Sequence, residues 1–377
     1  MIEKSKLFDA KVGNLSKGCK ECLVGNKTVL FVTGICPRHC YYCPISEEKW
    51  AKDDVYANEW KTKTEDEIIE EIKLCKSTGI GITGGDPLSR IDRTCRYIKR
   101  LKKEFKNFHT HLYTSLELVS EDTLKQLHEA GLDEIRVHPD LENNKLWDRI
   151  DLLKLFKWDK TVEIPVFPKK IEETKKLMIF CKGKMDFMNL NELELSHTNE
   201  EAMKKEGYYT KNPLSHGAKD SEEAAMVLLE FGKDFGYNIH YCSSKTKDVQ
   251  MGKRISKRAK SIKMPGDIET DEGTLVRGII YLKDLIPGEE YTKRINNLDQ
   301  DKKQEYLRKL KTLKKDISTK LRVPVSHMHV DPFKCRIIAP LGVVEKNSEK
   351  IKELGLIPAF VEEYPTQDSL EVQVQFF

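Results

Sequence analysis

Short apolar runs alternate with helical patterns between about Thr28 and His240. The run "KTVLFVTG" is almost continuously apolar, which is typical of a strand buried on both faces of a sheet. In the later segment "TEDEIIEEIKLCKSTG", apolar residues recur every three or four positions, and Thr64 and Glu67 have the spacing of a capping box. These two segments predict the strand and the helix of a first βα unit.

Further units follow in the same order. The strand patterns are "IGITGG", "FHTHLYTS", "DEIRVH", "TVEIPVF", "FMNLNELELS" and "YNIHYCS". The helical patterns between them are "RIDRTCRYIKRLKKEF", "SEDTLKQLHEAG", "IEETKKLMIFCKG" and "SEEAAMVLLEFGKDFG". Repeated βα units with crossovers of this length predict a parallel sheet. We therefore expect an α/β fold, a full or partial (β/α) barrel whose chemistry lies at the carboxyl ends of its strands.

The pattern changes after His240. The segment "KDVQMGKRISKRAKSIKMPGD" is strongly basic and contains Gly and Pro, which is typical of a linker. The strands and helices predicted beyond it are compatible with a small ferredoxin-like α+β domain. We divide the chain into an N-terminal Cys-x2-Cys segment (1–27), a barrel (28–245), and a basic linker with a C-terminal α+β domain (246–377).

Composition limits the functional classes. The chain has 377 residues, 33% of them charged, and its net charge of +4 is too small to indicate a nucleic-acid partner by itself. We see neither a secretory signal after Met1 nor an apolar run of about 20 residues, so we expect a cytoplasmic protein without a membrane partner. In a reducing cytosol, clustered cysteines indicate metal or redox chemistry rather than disulfides.

Three cysteines crowd the segment "VTGICPRHCYYCP", which follows the first predicted strand. A structural zinc ion is normally enclosed by four protein ligands, and Cys36, Cys40 and Cys43 provide three. Thiolates are also the ligands that iron–sulfur clusters require. A cubane held by three cysteines leaves one iron open to a ligand that is not protein.

This Cys-x3-Cys-x2-Cys loop resembles the signature of the radical S-adenosylmethionine (SAM) superfamily. The resemblance implies a 4Fe-4S cluster on Cys36, Cys40 and Cys43, with SAM chelating the open iron through its amino and carboxylate groups. One electron then breaks a sulfur–carbon bond of SAM, and the resulting 5′-deoxyadenosyl radical abstracts a substrate hydrogen. The resemblance also implies a one-electron donor of the flavodoxin or ferredoxin type.

Two further elements carry the resemblance over residues 28–245. Tyr42 stands where family members place an apolar or aromatic residue against the adenine. The segment "TGGDP" resembles the Gly-Gly-Glu element that binds the SAM amino group, because Gly84 and Gly85 let backbone carbonyls approach a ligand closely. Asp86 replaces the commoner glutamate, so the backbone carries more of the expected role than the carboxylate.

A closer resemblance is to archaeal proteins related to pyruvate formate-lyase activating enzyme. The segments "GCKEC", "ANE", "TGGDPL" and "HLYTS" recur in those proteins. This resemblance does not identify a substrate.

Polar residues at predicted strand ends or on inward faces are candidates for contacts with SAM or with substrate. They are Thr114, Ser115, Arg136, His138, Glu163, Asn189 and Asn191. We expect Arg136 to pair with the SAM carboxylate, because a guanidinium can bind a carboxylate through two hydrogen bonds. The alternative is a structural role, since buried polar side chains need partners in any case.

A second metal site is a further hypothesis. Cys19 and Cys22 form a Cys-x2-Cys pair, and His240 and Cys242 lie on one face of the last predicted barrel strand. Together they provide ligands for zinc or an auxiliary cluster. The alternative is that they are incidental thiols.

The sequence thus predicts a radical SAM enzyme whose substrate is a small molecule, a peptide or RNA. Two alternatives within this class are a tRNA-modifying enzyme that holds phosphates through the basic segment 253–263, and a glycyl-radical activase. From another class, the alternative is a non-catalytic zinc and RNA-binding protein. We also expect residues 246–377 to cover the barrel, with Arg254 and Arg258 facing an anionic substrate.

Overall fold

The computed structural model describes residues 1–6, 9–288 and 290–377, with only the backbone of Thr292. The chain divides into two compact units, Met1–Arg254 and Ile255–Phe377. Within the described residues, no helix has both the length and the apolar content needed to span a membrane.

The first unit contains an eleven-stranded sheet. Its strands are β1 (Ile2–Lys4), β2 (Ala10–Val12), β3 (Lys27–Phe31), β4 (Val55–Ala57), β5 (Trp60–Thr62), β6 (Gly79–Thr83), β7 (His109–Ser115), β8 (Glu134–His138), β9 (Asp159–Val166), β10 (Phe187–Glu192) and β11 (Asn238–Cys242). Their order across the sheet is β1-β2-β11-β10-β9-β8-β7-β6-β3-β4-β5.

The strands from β11 to β3 in this order are parallel to their neighbours, which confirms the predicted parallel sheet. Antiparallel pairs extend it at both sides, β2 beside β11 and β4 beside β3. Among the described residues the sheet ends at β1 and β5, so it forms a partial rather than a full barrel.

Helices lie before, between and after the parallel strands. They are α1 (Lys17–Leu23), α2 (Glu65–Leu74), α3 (Ile91–Glu104), α4 (Glu121–Ala130), α5 (Ile171–Cys181), α6 (Glu200–Lys205), α7 (Ser221–Gly232) and α8 (Ser244–Ile262). The capping box predicted for α2 is present, since the Thr64 hydroxyl accepts from the Glu67 amide and the Glu67 carboxylate accepts from the Thr64 amide. Short 3₁₀ segments lie at Pro87–Arg90, Asn144–Leu155 and Pro168–Lys170.

Helix α8 contains most of the segment that the sequence pattern indicated as a linker. Arg254 and Arg258 are both buried, and both are held by protein acceptors. The Arg254 guanidinium pairs with Glu59, and that of Arg258 donates to the Pro365 carbonyl oxygen. Neither side chain is therefore presented openly to an anion.

The barrel strands separate apolar and polar residues by alternation. Leu112, Ile135 and Val162 are fully buried members of the apolar core. Alternate positions on the same strands, such as Arg136 and Glu163, instead line a cavity inside the barrel. The sheet therefore presents an apolar face to the core and a polar face to the cavity.

The second unit is an antiparallel sheet with helices. Its strands are β12 (Ile268–Glu269), β13 (Leu275–Leu282), β14 (His329–Asp331), β15 (Arg336–Ala339), β16 (Leu356–Glu363) and β17 (Glu371–Phe376), and its helices are α9 (Tyr291–Asn296), α10 (Gln300–Leu321), α11 (Leu341–Lys346) and α12 (Ser348–Glu353). Short 3₁₀ segments lie at Lys283–Leu285 and Val325–His327. The sheet order is β14-β15-β13-β16-β17, and β12 pairs with β13. The succession β13, α10, β14, β15, α11, β16 is the βαββαβ order of a ferredoxin-like motif.

Candidate active site

The three-cysteine loop leaves the carboxyl end of β3. Cys36, Cys40 and Cys43 are free thiols, and each is partly exposed. The Cys43 amide donates to the Cys40 carbonyl oxygen at 3.0 Å, which forms a turn between the last two thiols. The Gly34 amide donates to the Lys52 carbonyl oxygen at 2.7 Å, which anchors the start of the loop. The thiols therefore lie at the carboxyl end of the sheet, where chemistry was expected.

The glycine element packs directly against this loop. The Gly85 amide donates to the Thr33 carbonyl oxygen at 2.7 Å. A Cβ atom on Gly85 would lie 2.5 Å from the Ile35 carbonyl oxygen, and one on Gly84 would lie 2.5 Å from that of Thr33. Both positions therefore require glycine so that two backbones can approach. This role adds to the SAM contact predicted for them, which stays a prediction.

Asp86 brings three predicted site residues together. Its fully buried carboxylate accepts from the Thr114 hydroxyl at 2.7 Å, from the Ser115 hydroxyl at 2.8 Å and from the Ser115 amide at 3.0 Å. It also accepts from the Leu88 amide at 3.0 Å. Burial raises the pKa of Asp86 despite these donors. The carboxylate therefore ties the end of β6 to the end of β7, and direct contacts with SAM stay a prediction for all three residues.

Tyr42 and His138 form a pair beside the loop. The His138 Nδ1 lies 2.9 Å from the Glu163 carbonyl oxygen, which can only accept, so Nδ1 donates. The Nε2 atom then accepts from the Tyr42 hydroxyl at 2.8 Å. Burial, together with the charge of Arg38, lowers the pKa of His138 to about 4. The neutral imidazole thus fixes the aromatic side chain predicted to face the adenine.

Two cavities occupy the interior of the barrel. The loop-side cavity has a volume of about 630 Å³ and is lined by Tyr42 and Pro44 of the loop, among others. The inner cavity has a volume of about 220 Å³. Their walls share Lys27, Tyr113, Arg136, Glu163, Asn191 and Lys247. Of these, the sequence analysis did not identify Lys27, Tyr113 or Lys247 as site residues.

Arg136 lies between the two cavities with its donors engaged by protein. Its Nε contacts Glu134 at 2.8 Å and its Nη1 contacts Glu163 at 2.7 Å. Its Nη2 donates to the Ser16 hydroxyl at 3.0 Å. Burial opposes the charge, but Glu134 and other anionic neighbours hold the pKa of Arg136 well above its ordinary value. Its predicted pairing with the SAM carboxylate is untested, and in this structure the guanidinium pairs with the buried carboxylate of Glu134 and the partly buried carboxylate of Glu163.

The carboxylate of Glu163 is surrounded by donors. Asn189 and Asn191 donate to its two oxygens at 2.9 and 3.0 Å. Burial alone would raise the pKa of Glu163, but Arg136 and the two amides outweigh it and lower the pKa to about 2. The structure thus connects four candidate site residues by hydrogen bonds to one carboxylate. They are Arg136, Glu163, Asn189 and Asn191.

The residues proposed for a second metal site all line the inner cavity. They are Cys19, Cys22, His240 and Cys242. The Cys19 sulfur accepts from Asn189 at 3.4 Å and from Arg136 at 3.6 Å. Burial would raise the pKa of the Cys19 thiol, but Arg136 and His240 lower it to about 7. Metal binding by this set stays a prediction.

Three comparisons with known proteins bear on this site. The sequence profile of the Radical SAM superfamily matches residues 30–176. A protein of Methanocaldococcus jannaschii, named "Putative glycyl-radical enzyme activating enzyme", is 38% identical over an alignment of 386 positions, gaps included, that covers 98% of this chain and 95% of that protein. The PqqA peptide cyclase of Bradyrhizobium diazoefficiens is 25% identical over 150 residues, which cover 37% of each chain.

Among solved structures, that of methylornithine synthase matches with a TM-score of 0.38 and 15% identity, over 61% of this chain and 79% of that chain. The relative matched over nearly its whole length decides the family, and this weaker structural likeness does not. The profile match begins inside β3 and includes the three-cysteine loop and the glycine element. The chain belongs to the radical SAM superfamily.

Proposed function

We propose that Cys36, Cys40 and Cys43 hold the 4Fe-4S cluster of this radical SAM enzyme. Three thiols on a partly exposed loop suit a cluster that must remain open to SAM at one iron. When bound, the cluster supplies one electron to SAM, which breaks a sulfur–carbon bond and yields a 5′-deoxyadenosyl radical. The family membership replaces the non-catalytic zinc hypothesis. That hypothesis requires Cys19 and Cys22 to join the loop cysteines in one tetrahedral site, but Cys19 and Cys22 line the inner cavity, whereas Cys40 lines a separate cavity beside Tyr41.

SAM is assigned to the loop end of the loop-side cavity. Tyr42 lines this cavity, and its hydroxyl is fixed by His138, so the ring is positioned before SAM binds. The Gly84–Gly85 backbone packs on the loop, and it offers carbonyl oxygens that can accept from the SAM ammonium. Asp86 then acts by positioning this backbone through Thr114 and Ser115.

Reductive cleavage of SAM tests this assignment. Anaerobically reconstituted protein with a chemical reductant should release 5′-deoxyadenosine and methionine. Cys40→Ala should abolish cleavage, whereas Cys95→Ala, which changes a buried thiol on α3, should retain it. Cleavage at the wild-type rate in Cys40→Ala would overturn the assignment.

We infer that the substrate is a protein that carries a glycyl radical after activation. The observation that supports this inference is the activating-enzyme name of the relative that is 38% identical over nearly the whole chain. The loop-side cavity of about 630 Å³ lies within the usual range for ligand sites and can admit a short protein segment beside SAM. The electron would come from a donor of the flavodoxin or ferredoxin type.

The substrate is tested with purified glycyl-radical enzymes as candidates. Incubation with reduced enzyme and SAM should give the electron paramagnetic resonance doublet of a glycyl radical on the candidate protein. Parallel reactions with total RNA, at two salt concentrations, test the tRNA alternative. SAM cleavage that is coupled to RNA and not to any protein would overturn the activase proposal while leaving the cluster assignment intact.

A further inference from the structure

Three potential metal ligands converge at the opposite end of the barrel from the cysteine loop. His109 and His111 lie on one face of β7, and Glu134 begins the neighbouring strand β8, where it pairs in register with His111. All three are buried, with at most 3% of any one exposed. A ligand atom from each lies within 4.8 Å of the other two.

Three of the four imidazole nitrogens of His109 and His111 have no hydrogen-bond partner among the described residues. Within the described part of the chain, both ring nitrogens of His109 and the Nδ1 of His111 are buried without a hydrogen bond. The other nitrogen of His111 contacts the Tyr113 hydroxyl at 3.2 Å. Leaving a buried polar atom unpaired costs about 1–3 kcal/mol, so three together indicate a group that belongs between them.

The two oxygens of the Glu134 carboxylate have different partners. Oε1 accepts from Arg136 at 2.8 Å and from the Thr161 hydroxyl at 2.9 Å. Oε2 accepts from the Gly18 amide at 3.2 Å and lies 3.7 Å from the Nε2 of His109. Two ligand atoms bound to one tetrahedral metal at about 2.0–2.1 Å are separated by about 3.4 Å. The spacing of this pair is therefore close to that of a metal-bound pair.

We propose that His109, His111 and Glu134 bind one divalent first-row transition metal ion. Two imidazoles and one carboxylate are a ligand set that zinc and ferrous ions use in proteins. Both imidazoles are buried, and the neutral imidazole is the form that binds a metal ion.

The position of the site indicates a structural role. It lies at the amino ends of β7 and β8, the face of a barrel where residues contribute to stability rather than to chemistry. The Gly18 amide contacts Glu134, so an ion here would also connect the start of α1 to the sheet. Gly18 must lack a side chain, because a Cβ atom there would lie 2.5 Å from Arg136 Nη2, 2.8 Å from His111 Nδ1 and 2.9 Å from Glu134 Oε2.

Metal analysis of the full-length protein tests this site independently of SAM cleavage. Anaerobically purified protein is analysed for zinc, manganese, cobalt, nickel, iron and acid-labile sulfide, before and after dialysis with Co²⁺. We expect about one divalent ion per chain beyond the cluster, either as another metal or as iron in excess of sulfide. His109→Gln and His111→Gln should each lose this ion, whereas His128→Gln, on the exposed face of α4, should retain it.

The iron and sulfide of the 4Fe-4S cluster serve as the folding control for each variant. Cys19→Ser distinguishes this site from the thiols of the inner cavity. Loss of the extra ion in Cys19→Ser, with retention in both histidine variants, would overturn the proposal in favour of a thiol site. Absence of the ion from wild-type protein after Co²⁺ dialysis would also overturn the proposal. A buried water would then be the group that bridges the three residues.

Should the histidine variants fail to fold, X-ray absorption of the Co²⁺-loaded wild type decides the question. The proposal requires a first shell of nitrogen and oxygen atoms around cobalt. A shell containing sulfur would contradict it.

Discussion

Cys36 of the loop and Cys19 of the inner cavity have opposite electrostatic surroundings, whereas Cys242, which also lines the inner cavity, has its pKa raised by burial. At the loop, burial raises the pKa of Cys36 to about 11, and Asp86 and the neighbouring thiols Cys40 and Cys43 add to the shift. In the inner cavity, Arg136 and His240 outweigh burial and lower the pKa of Cys19 to about 7. One residue type is thus held as a protonated thiol in one place and as a partly ionised thiolate in the other.

The difference shows where each thiolate obtains its compensating charge. At the loop, burial raises the pKa of Cys36 and Asp86 adds to the shift, so under the proposed assignment the positive charge would come from bound iron, which deprotonates a coordinating thiol. In the inner cavity, the protein supplies that charge itself through Arg136. The proposed cluster would thus complete the surroundings of the loop thiols, whereas Cys19 is already stabilised by Arg136 and His240.

The largest effect is expected when the positive charge of Arg136 is removed from the inner cavity. Arg136→Met leaves the buried Glu134 and the partly buried Glu163 without their cation, so we expect a loss of about 3–5 kcal/mol in the free energy of unfolding. Denaturant unfolding measures it. The double variant Arg136→Met with Glu163→Gln should recover part of the loss, and a loss below about 1 kcal/mol in the single variant would show that the pairs are not needed.

A smaller effect is expected where the glycine element packs on the loop. Gly85→Ala places a Cβ atom against the Ile35 carbonyl oxygen, and relieving this contact should cost about 1–3 kcal/mol and reduce the cluster content. The matched control is Gly252→Ala within α8, where a Cβ atom meets nothing within 4 Å. That control should be neutral or stabilising, since alanine favours a helix. Equal unfolding free energies for the two variants would contradict the packing role.

At neutral pH the smallest effect is expected at the Tyr42–His138 pair, because its contribution is a pH dependence that develops only under acid conditions. The pKa of His138 is about 4 in the folded protein against about 6.5 when unfolded. Above pH 6.5 both states are neutral and the pair adds no slope. Between pH 6.5 and 4 only the unfolded state takes up the proton, so stability falls by about 1.4 kcal/mol per pH unit. His138→Gln should remove this part of the acid slope in unfolding measurements. An unchanged slope would show that His138 titrates normally in the folded protein.

Local sequence signals predicted most of the barrel elements. Thr64 and Glu67 marked the start of α2, and Ser120 and Gly131 bound α4 as its pattern indicated. Helix α8 was not predicted, because its many basic residues and Gly252 are typical of a linker. Its buried face is formed by residues that become buried only through tertiary contacts.

The loop cysteines were predictable because their ligand spacing lies within one short segment. The partners of Arg136 were not, since Glu134, Glu163 and Cys19 meet it only through strand register and the placement of α1. Lys27 and His109 open strand patterns that otherwise indicate core, and sequence alternation does not show that these side chains share the barrel interior.

The most direct test counts iron and acid-labile sulfide after anaerobic reconstitution in two matched variants. The loop variant carries Cys36→Ala, Cys40→Ala and Cys43→Ala, and the α1 variant carries Cys19→Ala and Cys22→Ala. Our account predicts that the loop variant loses the cluster and that the α1 variant keeps about four sulfides per chain. Retention of the cluster in the loop variant, or its loss from a folded α1 variant, would contradict the assignment.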